Sequence, residues 1–242
     1  MKASPHDQRQ ILNTASLDQR TTALNHKAQT LAEHVLLVNV TTKSNNLHDL
    51  RIAAQTELSD VKRELLRAEA DVEQIVMRIV RDEARLDGGS ATPKELEQLQ
   101  HEVGTLGARR AELEEVELEV MMRIDDINAR ISELSEQEAN CASEIDDLEI
   151  RKENALAGFN SELETIAKER SEILTSVSPE LIALYEKIRT SNNGTGAAAL
   201  IAGSCNGCHL SINAVELKRI TDVAEDEVVR CEECRCILVR GV

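Results

Sequence analysis

At 242 residues the chain is long enough for one or two domains, but it contains one Phe, one Tyr and no Trp. Aromatic side chains supply much of the buried area of globular cores, so this composition argues against a conventional one. With 30% charged residues and a formal net charge of −16, the sequence is typical of a helical seam with solvated flanks. It contains neither an apolar run long enough to cross a bilayer nor a signal-peptide segment, so we expect a soluble, cytoplasmic protein with no membrane partner.

Two long helices are predicted from about residue 11 to about residue 177. The three prolines, Pro5, Pro93 and Pro179, all lie where a helix is expected to begin or has not yet begun. Because proline inside a helix costs about 3 kcal/mol, the stretches between the prolines are predicted to be helical without interruption. Thr41–Asn46 is a weak helix former, and we expect local bending there.

A turn signal in the middle of the chain, Asp87–Ser90, separates the two helices. Thr92 is predicted to cap the second helix, with Pro93 at its first position and Glu95 reaching back in a capping box. A loop this short folds the helices back antiparallel, and with the turn near residue 89 we expect residue i roughly opposite residue 178 minus i. The predicted fold is therefore mostly α, a long antiparallel coiled-coil hairpin followed by a small C-terminal zinc ribbon.

Both helices carry the apolar repeat of a coiled coil, which averages 3.5 residues. In the first helix the repeat comprises Leu47, Leu50, Ala54, Leu58, Val61, Leu65, Ala68, Val72, Ile75 and Ile79. In the second it comprises Leu96, Leu99, Val103, Leu106, Leu113, Val120, Ile124, Ile127, Ile131, Leu134, Cys141, Ile145 and Leu148. Charged residues interrupt this second seam at Arg110, Glu117, Glu138 and Lys152, and Gly104 and Gly107 are expected to loosen it near the turn. We interpret Cys141 as a small buried hydrophobe.

The negative charge is concentrated in an acidic band, residues 111–150. The band contains 14 acids and two bases, Arg123 and Arg130. Such a surface repels phosphate backbones and attracts a basic protein partner, whereas the simpler interpretation is a solvated helix face.

The remaining predicted elements follow Pro179. A short amphipathic helix that carries Leu181, Tyr185 and Ile188 is expected to pack against the base of the hairpin. Ser191–Gly196 reads as a linker, which divides the chain into residues 1–190, the hairpin with its packing helix, and residues 191–242, a C4 zinc ribbon. Within the ribbon, strands are predicted at Ala197–Ile201, Val228–Arg230 and Ile237–Arg240, and a helix capped by Asn213.

Two Cys-x-x-Cys pairs, separated by 22 residues, predict one structural zinc ion bound by Cys205, Cys208, Cys231 and Cys234. Four protein ligands leave no position for a catalytic water, and a thioredoxin-like redox pair, the alternative, would leave one pair unexplained. Cys236, two residues after Cys234, could compete as the fourth ligand. His209 is expected at the surface because a residue adjacent to Cys208 is poorly placed to bind the same metal.

The order of these elements resembles a bacterial family, the C4-type zinc-ribbon family of coiled-coil hairpin proteins. The resemblance rests on Pro179 to Arg189, on Cys-Asn-Gly-Cys-His from Cys205 and on Cys-Glu-Glu-Cys-Arg-Cys-Ile-Leu-Val-Arg from Cys231. It implies that the same four cysteines are the ligands. The flagellar member of the family is described as a chaperone-like adaptor that binds an alternative sigma factor and a flagellin transcript. The chain departs from the family at Arg235 and Cys236, where Gly-Arg is usual.

Two functions compete. The favoured hypothesis is a non-enzymatic adaptor that binds a basic or transcription-related protein through the coiled coil and the ribbon. The alternative is RNA or DNA binding by the ribbon, through Lys218, Arg219, Arg230, Arg235 and Arg240. Seven acids against these five bases in residues 203–242 disfavour it. No catalytic residues, and no small-molecule substrate, are predicted from the motifs.

Overall fold

The computed structural model describes residues 1–89 and 92–241. It contains five helices in these residues: α1 Pro5–Gln29, α2 Ala32–Asp87, α3 Pro93–Thr175, α4 Pro179–Ser191 and α5 Ala214–Asp222. The four strands are β1 Ala197–Ile201, β2 Ser204–Cys205, β3 Val229–Arg230 and β4 Ile237–Val239. The predicted fold class, a mostly α chain with a helical hairpin and a small C-terminal ribbon, is confirmed.

The capping box predicted at the start of α3 is present. The backbone N–H of Thr92 donates to Oε2 of Glu95 over 2.8 Å, and the N–H of Glu95 donates to the Thr92 hydroxyl over 3.4 Å. The Thr92 hydroxyl also donates to Oε2 of Glu95, over 2.7 Å. The bonds that the N–H and the hydroxyl of Thr92 donate to this carboxyl hold the pKa of Glu95 below its usual value. Ser90, the last residue of the predicted turn, lies outside the described residues.

The prediction of one uninterrupted first helix is wrong, because the helix ends at Gln29 and a second begins at Ala32. At this break the hydroxyl and the N–H of Thr30 both donate to the carbonyl of His26, over 2.8 and 2.9 Å. The N–H bond is the last i→i−4 bond of α1, and the Thr30 hydroxyl shares its acceptor, at a point that carries neither proline nor glycine. Thr41–Asn46, where bending was expected, is regular helix.

The chain forms two compact units, the first comprising Met1–Val35 and Glu149–Val242 and the second Leu36–Leu148. In the second unit α2 and α3 run antiparallel, and buried residues recur at heptad spacing on both helices. They are Val40, Leu47, Ala54, Val61 and Ala68 on α2, and Leu99, Leu106, Val120, Ile127, Cys141 and Leu148 on α3. Cys141 is buried in the seam, as predicted.

The register of this hairpin differs from the prediction. Leu47 was expected opposite residue 131, but it packs in a cluster with Cys141 and Leu148. Glu64, which was expected opposite residue 114, forms an ion pair with Arg123 and is therefore displaced in the same direction. Buried layers that recur every seven residues set the pairing, and the position of the turn does not specify which layers meet. One seam charge is neutralised across the helices, since Arg51 Nε lies 3.0 Å from both carboxylate oxygens of Glu138.

In the first unit α1, α4 and the ribbon share a hydrophobic core, and a second, smaller cluster joins α1 and α3 through Leu17, Leu24 and Ile166. The predicted apolar face of α4 is buried in it through Leu181, Tyr185 and Ile188, against residues that include Ile11 of α1. Gly196 lies so close to Tyr185 that an added Cβ would come within 2.4 Å of its ring. The division of the chain at residues 190 and 191 stays a proposal.

The ribbon sheet has the strand order β2-β1-β4-β3, in which β1 and β4 are parallel and the other pairs antiparallel. Antiparallel pairing predicts that the N-terminal residues return to the zinc module, and they do: Lys2 forms a β-bridge with Glu227, and the N–H of Val228 donates to the carbonyl of Met1 over 3.0 Å. The first residues of the chain therefore contact its last domain.

A buried polar network joins α1, α3 and α4 in the first unit. The Tyr185 hydroxyl donates to Oδ2 of Asp18 over 2.6 Å, and Arg170 Nε donates to Oδ1 of Asp18 over 2.7 Å. Asp18 is 7% exposed and Tyr185 is fully buried. Burial, followed by the hydrogen bond to Asp18, raises the pKa of Tyr185 well above its ordinary value, so the phenol stays a neutral donor.

We predict that Tyr185→Phe lowers the free energy of unfolding by about 1.5 to 3 kcal/mol, because a buried carboxylate loses one of its donors. Denaturant unfolding followed by circular dichroism measures this. The control is Glu162→Gln, which removes an exposed ion pair with Arg20 and should change stability by less than about 1 kcal/mol. Equal effects of the two substitutions would contradict a structural role for the buried bond.

Candidate metal centre

Two backbone knuckles of the same geometry present the four predicted cysteines. In the first, the N–H of His209 donates to the carbonyl of Cys205 over 2.7 Å, and in the second the N–H of Arg235 donates to the carbonyl of Cys231 over 3.0 Å. Both donors adopt positive φ, 61° for His209 and 63° for Arg235. Arg235 thus takes, without a glycine, the left-handed conformation that its knuckle needs. His209 is exposed, as predicted.

The four sulfurs form a compact group. Those of Cys205, Cys208, Cys231 and Cys234 all lie within 4.8 Å of one another. The Sγ–Sγ distance is 3.8 Å from Cys205 to Cys234 and 3.9 Å from Cys208 to Cys231. Sulfurs bound to a tetrahedral zinc at normal bond lengths lie about 3.8 Å apart. The four cysteines are therefore positioned to bind one zinc ion, and four thiolate ligands give a structural site.

Packing around the knuckles fixes these positions. Cys205 and Cys231 are buried, whereas Cys208 and Cys234 are half-buried. Gly207, inside the first knuckle, lies against β1, where an added Cβ would come within 3.0 Å of the Ala198 Cβ. The N–H of Gly207 also faces the Cys205 sulfur, 3.4 Å away. The close approach of the knuckle to the sheet therefore favours glycine at this position.

Cys236, the residue that could have competed as a ligand, lies directly beside the site. Its side chain is fully buried, and its sulfur is 3.1 Å from that of Cys234 and 3.6 Å from that of Cys205. Burial raises the pKa of the Cys236 thiol above its ordinary value. The separation from Cys234 is shorter than the sulfur–sulfur edge of a zinc tetrahedron, so these two sulfurs do not fit together on one ion.

The basic residues of the ribbon do not all face solvent. The guanidinium of Arg240 donates to the backbone carbonyls of Ile220, Val223, Ala224, Glu225 and Glu227, over 2.8 to 3.3 Å. It thereby satisfies the end of α5 and the turn that follows. Arg219 Nε donates to Oε2 of Glu216 over 2.6 Å. Two of the five candidate nucleic-acid contacts therefore have partners within the chain, which residue counting missed.

Within residues 1–89 and 92–241, the four cysteines are the one cluster of side chains with the arrangement of metal ligands. Across the same residues, the helices lack a segment with the length and hydropathy of a membrane span.

Two known domain families match successive parts of the chain. Residues 14–193 match the CT398-like coiled coil hairpin domain, and residues 204–238 match the C4-type zinc ribbon domain. An uncharacterized protein of Mycobacterium tuberculosis is 32% identical over 240 residues, 99% of this chain and 98% of the relative.

Two solved structures resemble the fold over nearly its whole length. A protein from Mycobacterium smegmatis has a TM-score of 0.84 and 30% identity, covering 99% of this chain and 100% of that one. CT398 from Chlamydia trachomatis has a TM-score of 0.66 and 17% identity, covering 97% and 98%. At this low identity the likeness to CT398 concerns the fold alone.

We predict that Cys231→Ser abolishes stoichiometric zinc binding and unfolds the ribbon, because three thiolates bind zinc more weakly and the short strands depend on the metal. Elemental analysis of the purified chain measures the zinc content, and limited proteolysis measures ribbon folding. Cys141→Ala, which alters a buried cysteine in the coiled coil, should keep one zinc per chain. Full zinc occupancy in Cys231→Ser would contradict the assigned ligand set.

Proposed function

Because the chain belongs to the family of CT398-like coiled-coil hairpin proteins with a C4-type zinc ribbon, we propose that it is a non-enzymatic, cytoplasmic adaptor that binds a protein partner. The coiled coil and the ribbon both contribute contacts, and the partner is a basic or transcription-related protein. The observation that carries the proposal is the exposed acidic band on α3.

The two bases within the acidic band do not neutralise it. Arg123 pairs with Glu64 and Arg130 with Glu57, both acids of α2. Both bases therefore form ion pairs with α2, while acids such as Glu115 and Glu119 remain exposed on α3. A surface with this charge attracts a basic partner and speeds its association.

An apolar group lies within the same part of α3. Leu118, Met121 and Met122 are 61%, 45% and 69% exposed. Their spacing of three and four residues places them on one face of the helix. Exposed apolar side chains surrounded by charges are typical of protein-binding surfaces, and methionine adapts readily to different partners. This combination supports a basic amphipathic segment as the partner.

Nucleic-acid binding by the ribbon is the second candidate. Arg219, Arg230 and Arg235 line one groove, which favours it. Glu227 and Glu232 line the same groove, however, and these acids oppose phosphate contacts. We therefore rank protein binding first.

The adaptor hypothesis predicts that reversing charges in the acidic band releases the partner. The variant replaces four acids by arginine: Glu114, Glu115, Glu117 and Glu119. In-cell cross-linking and affinity purification, followed by mass spectrometry, should recover the partner with the wild-type chain and lose it with the variant. Circular dichroism checks that the helices persist.

A matched control reverses four exposed acids of α2 outside the band: Glu69, Asp71, Glu73 and Glu83. It should retain the partner, because it carries the same change in net charge at another place. Equal loss with both variants would indicate a general charge effect, and equal retention would remove the acidic band from the proposal.

For the second candidate, we expect the purified chain to bind neither RNA nor DNA at low salt, because acids outnumber bases in the ribbon and Arg240 is occupied by carbonyls. Fluorescence anisotropy across a salt series measures this. Affinity that falls steeply with salt, and that Arg219→Ala with Arg230→Ala weakens, would reverse the ranking of the two functions.

A further inference from the structure

Cys236 places a fifth thiol against the four-cysteine site. Because its sulfur and that of Cys234 are 3.1 Å apart, too close for both to bind one zinc with normal geometry, Cys236 keeps a free thiol while Cys234 acts as a ligand. The thiol of a predicted ligand, Cys234, and a second thiol are thus in direct contact at the end of one knuckle. Neither the adaptor function nor the structural zinc site accounts for this fifth sulfur.

The two thiols differ in their access to solvent. Cys234 is half-buried and is the more accessible of the two residues to a small oxidant, whereas Cys236 is buried. Cys208, the other half-buried ligand, has the sulfur of Cys231, another ligand, 3.9 Å away. Oxidation sites in proteins combine an accessible thiolate with a nearby second cysteine that resolves the first product. Cys234 and Cys236 have this arrangement.

We propose that Cys234 and Cys236 form an oxidation site, at which a peroxide converts the two thiols into a disulfide and thereby expels the zinc ion. The site gives the ribbon a second, metal-free state that depends on the oxidant concentration. A thiol reductant reverses the step and restores the ligand.

The chemistry balances with hydrogen peroxide as the oxidant. The Cys234 sulfur attacks one peroxide oxygen, a sulfur–oxygen bond forms, the oxygen–oxygen bond breaks, and hydroxide leaves. The sulfur of Cys236 then attacks the sulfenic sulfur of Cys234, forming the sulfur–sulfur bond and displacing a second hydroxide. The Cys234 thiol releases its proton when zinc binds, and the Cys236 thiol releases its proton in the second step. These two protons convert both hydroxides to water. Two thiols and one peroxide thus give one disulfide and two waters.

The expected consequence is the loss of zinc. Once Cys234 is in a disulfide, three thiolates remain, and a tetrahedral site with three protein ligands holds its metal less tightly. Cys231, Cys236 and β4 belong to the same hydrophobic core as α1 and α4. Oxidation therefore acts on the packing of the first unit as well as on the metal.

The test treats the purified, zinc-loaded full chain with hydrogen peroxide. Released zinc is followed with a colorimetric chelator, and the cysteine pairing by tryptic peptide mapping after alkylation. Trypsin cleaves after Arg235, so residues 231–235 and 236–240 separate unless a disulfide joins them. We expect zinc loss to coincide with a linked pair of these peptides, which fragmentation assigns to Cys234 and Cys236. Added thiol reductant and zinc should restore the original zinc content.

Two variants sharpen the test. Cys236→Ala should bind one zinc before oxidation, because residue 236 is not a ligand. After peroxide it should lose zinc without recovering under reductant, since unresolved Cys234 oxidises to the sulfinic acid. Cys141→Ala, which removes a cysteine outside the ribbon, should behave as the wild type.

Three results would overturn the proposal. The first is zinc loss from the wild type without a disulfide to Cys236, or with Cys236 joined to the peptide that contains Cys205. The second is full recovery of zinc binding by oxidised Cys236→Ala. The third is a Cys236→Ala chain that binds no zinc before oxidation, because it would make Cys236 a ligand.

Discussion

Binding of one zinc ion by four thiolates is the constraint on which the C-terminal module depends. Its strands contain two to five residues, too few to form a stable sheet unaided. The metal joins a knuckle after β1 to a knuckle after β3, and β1 and β4 then pair in parallel between them. Because these strands bury their side chains against α1 and α4, the metal also orders the core of the first unit.

Polar contacts add to the stabilisation that zinc binding gives the first unit. Arg240 closes the turn after α5 through backbone carbonyls, and the N-terminal residues extend the ribbon through the bridge from Lys2 to Glu227. At the same core, Asp18 accepts hydrogen bonds from Tyr185, a core residue, and from Arg170. A buried carboxylate is tolerated only when its charge is paired in this way. The first unit therefore uses charged side chains both to join its helices, at Asp18, and to hold backbone carbonyls, at Arg240.

Periodicity and motif spacing predicted the features that local rules control. The coiled-coil repeat, the capping box at Thr92 and the four zinc ligands each depend on residues close in sequence. The hairpin register was not predictable in the same way, because heptad layers are nearly equivalent and pairing is chosen over the whole seam. The helix break at Thr30 has no proline or glycine signal, and the Thr30 hydroxyl donates to the carbonyl of His26 there.

The ribbon shows a similar limit at single residues. The sequence indicated that Arg235 stands where glycine is usual. The positive φ that Arg235 shares with His209 depends on the backbone hydrogen bonds that close the two knuckles, which the sequence does not show. Cys236 was visible as a surplus cysteine, yet its burial against Cys234 depends on β4 packing into the core. The Cys236 thiol contacts the ligand Cys234 and also belongs to the core that α1 and α4 share. A change in zinc binding therefore reaches the helices through contacts that are already buried, without a separate signalling element.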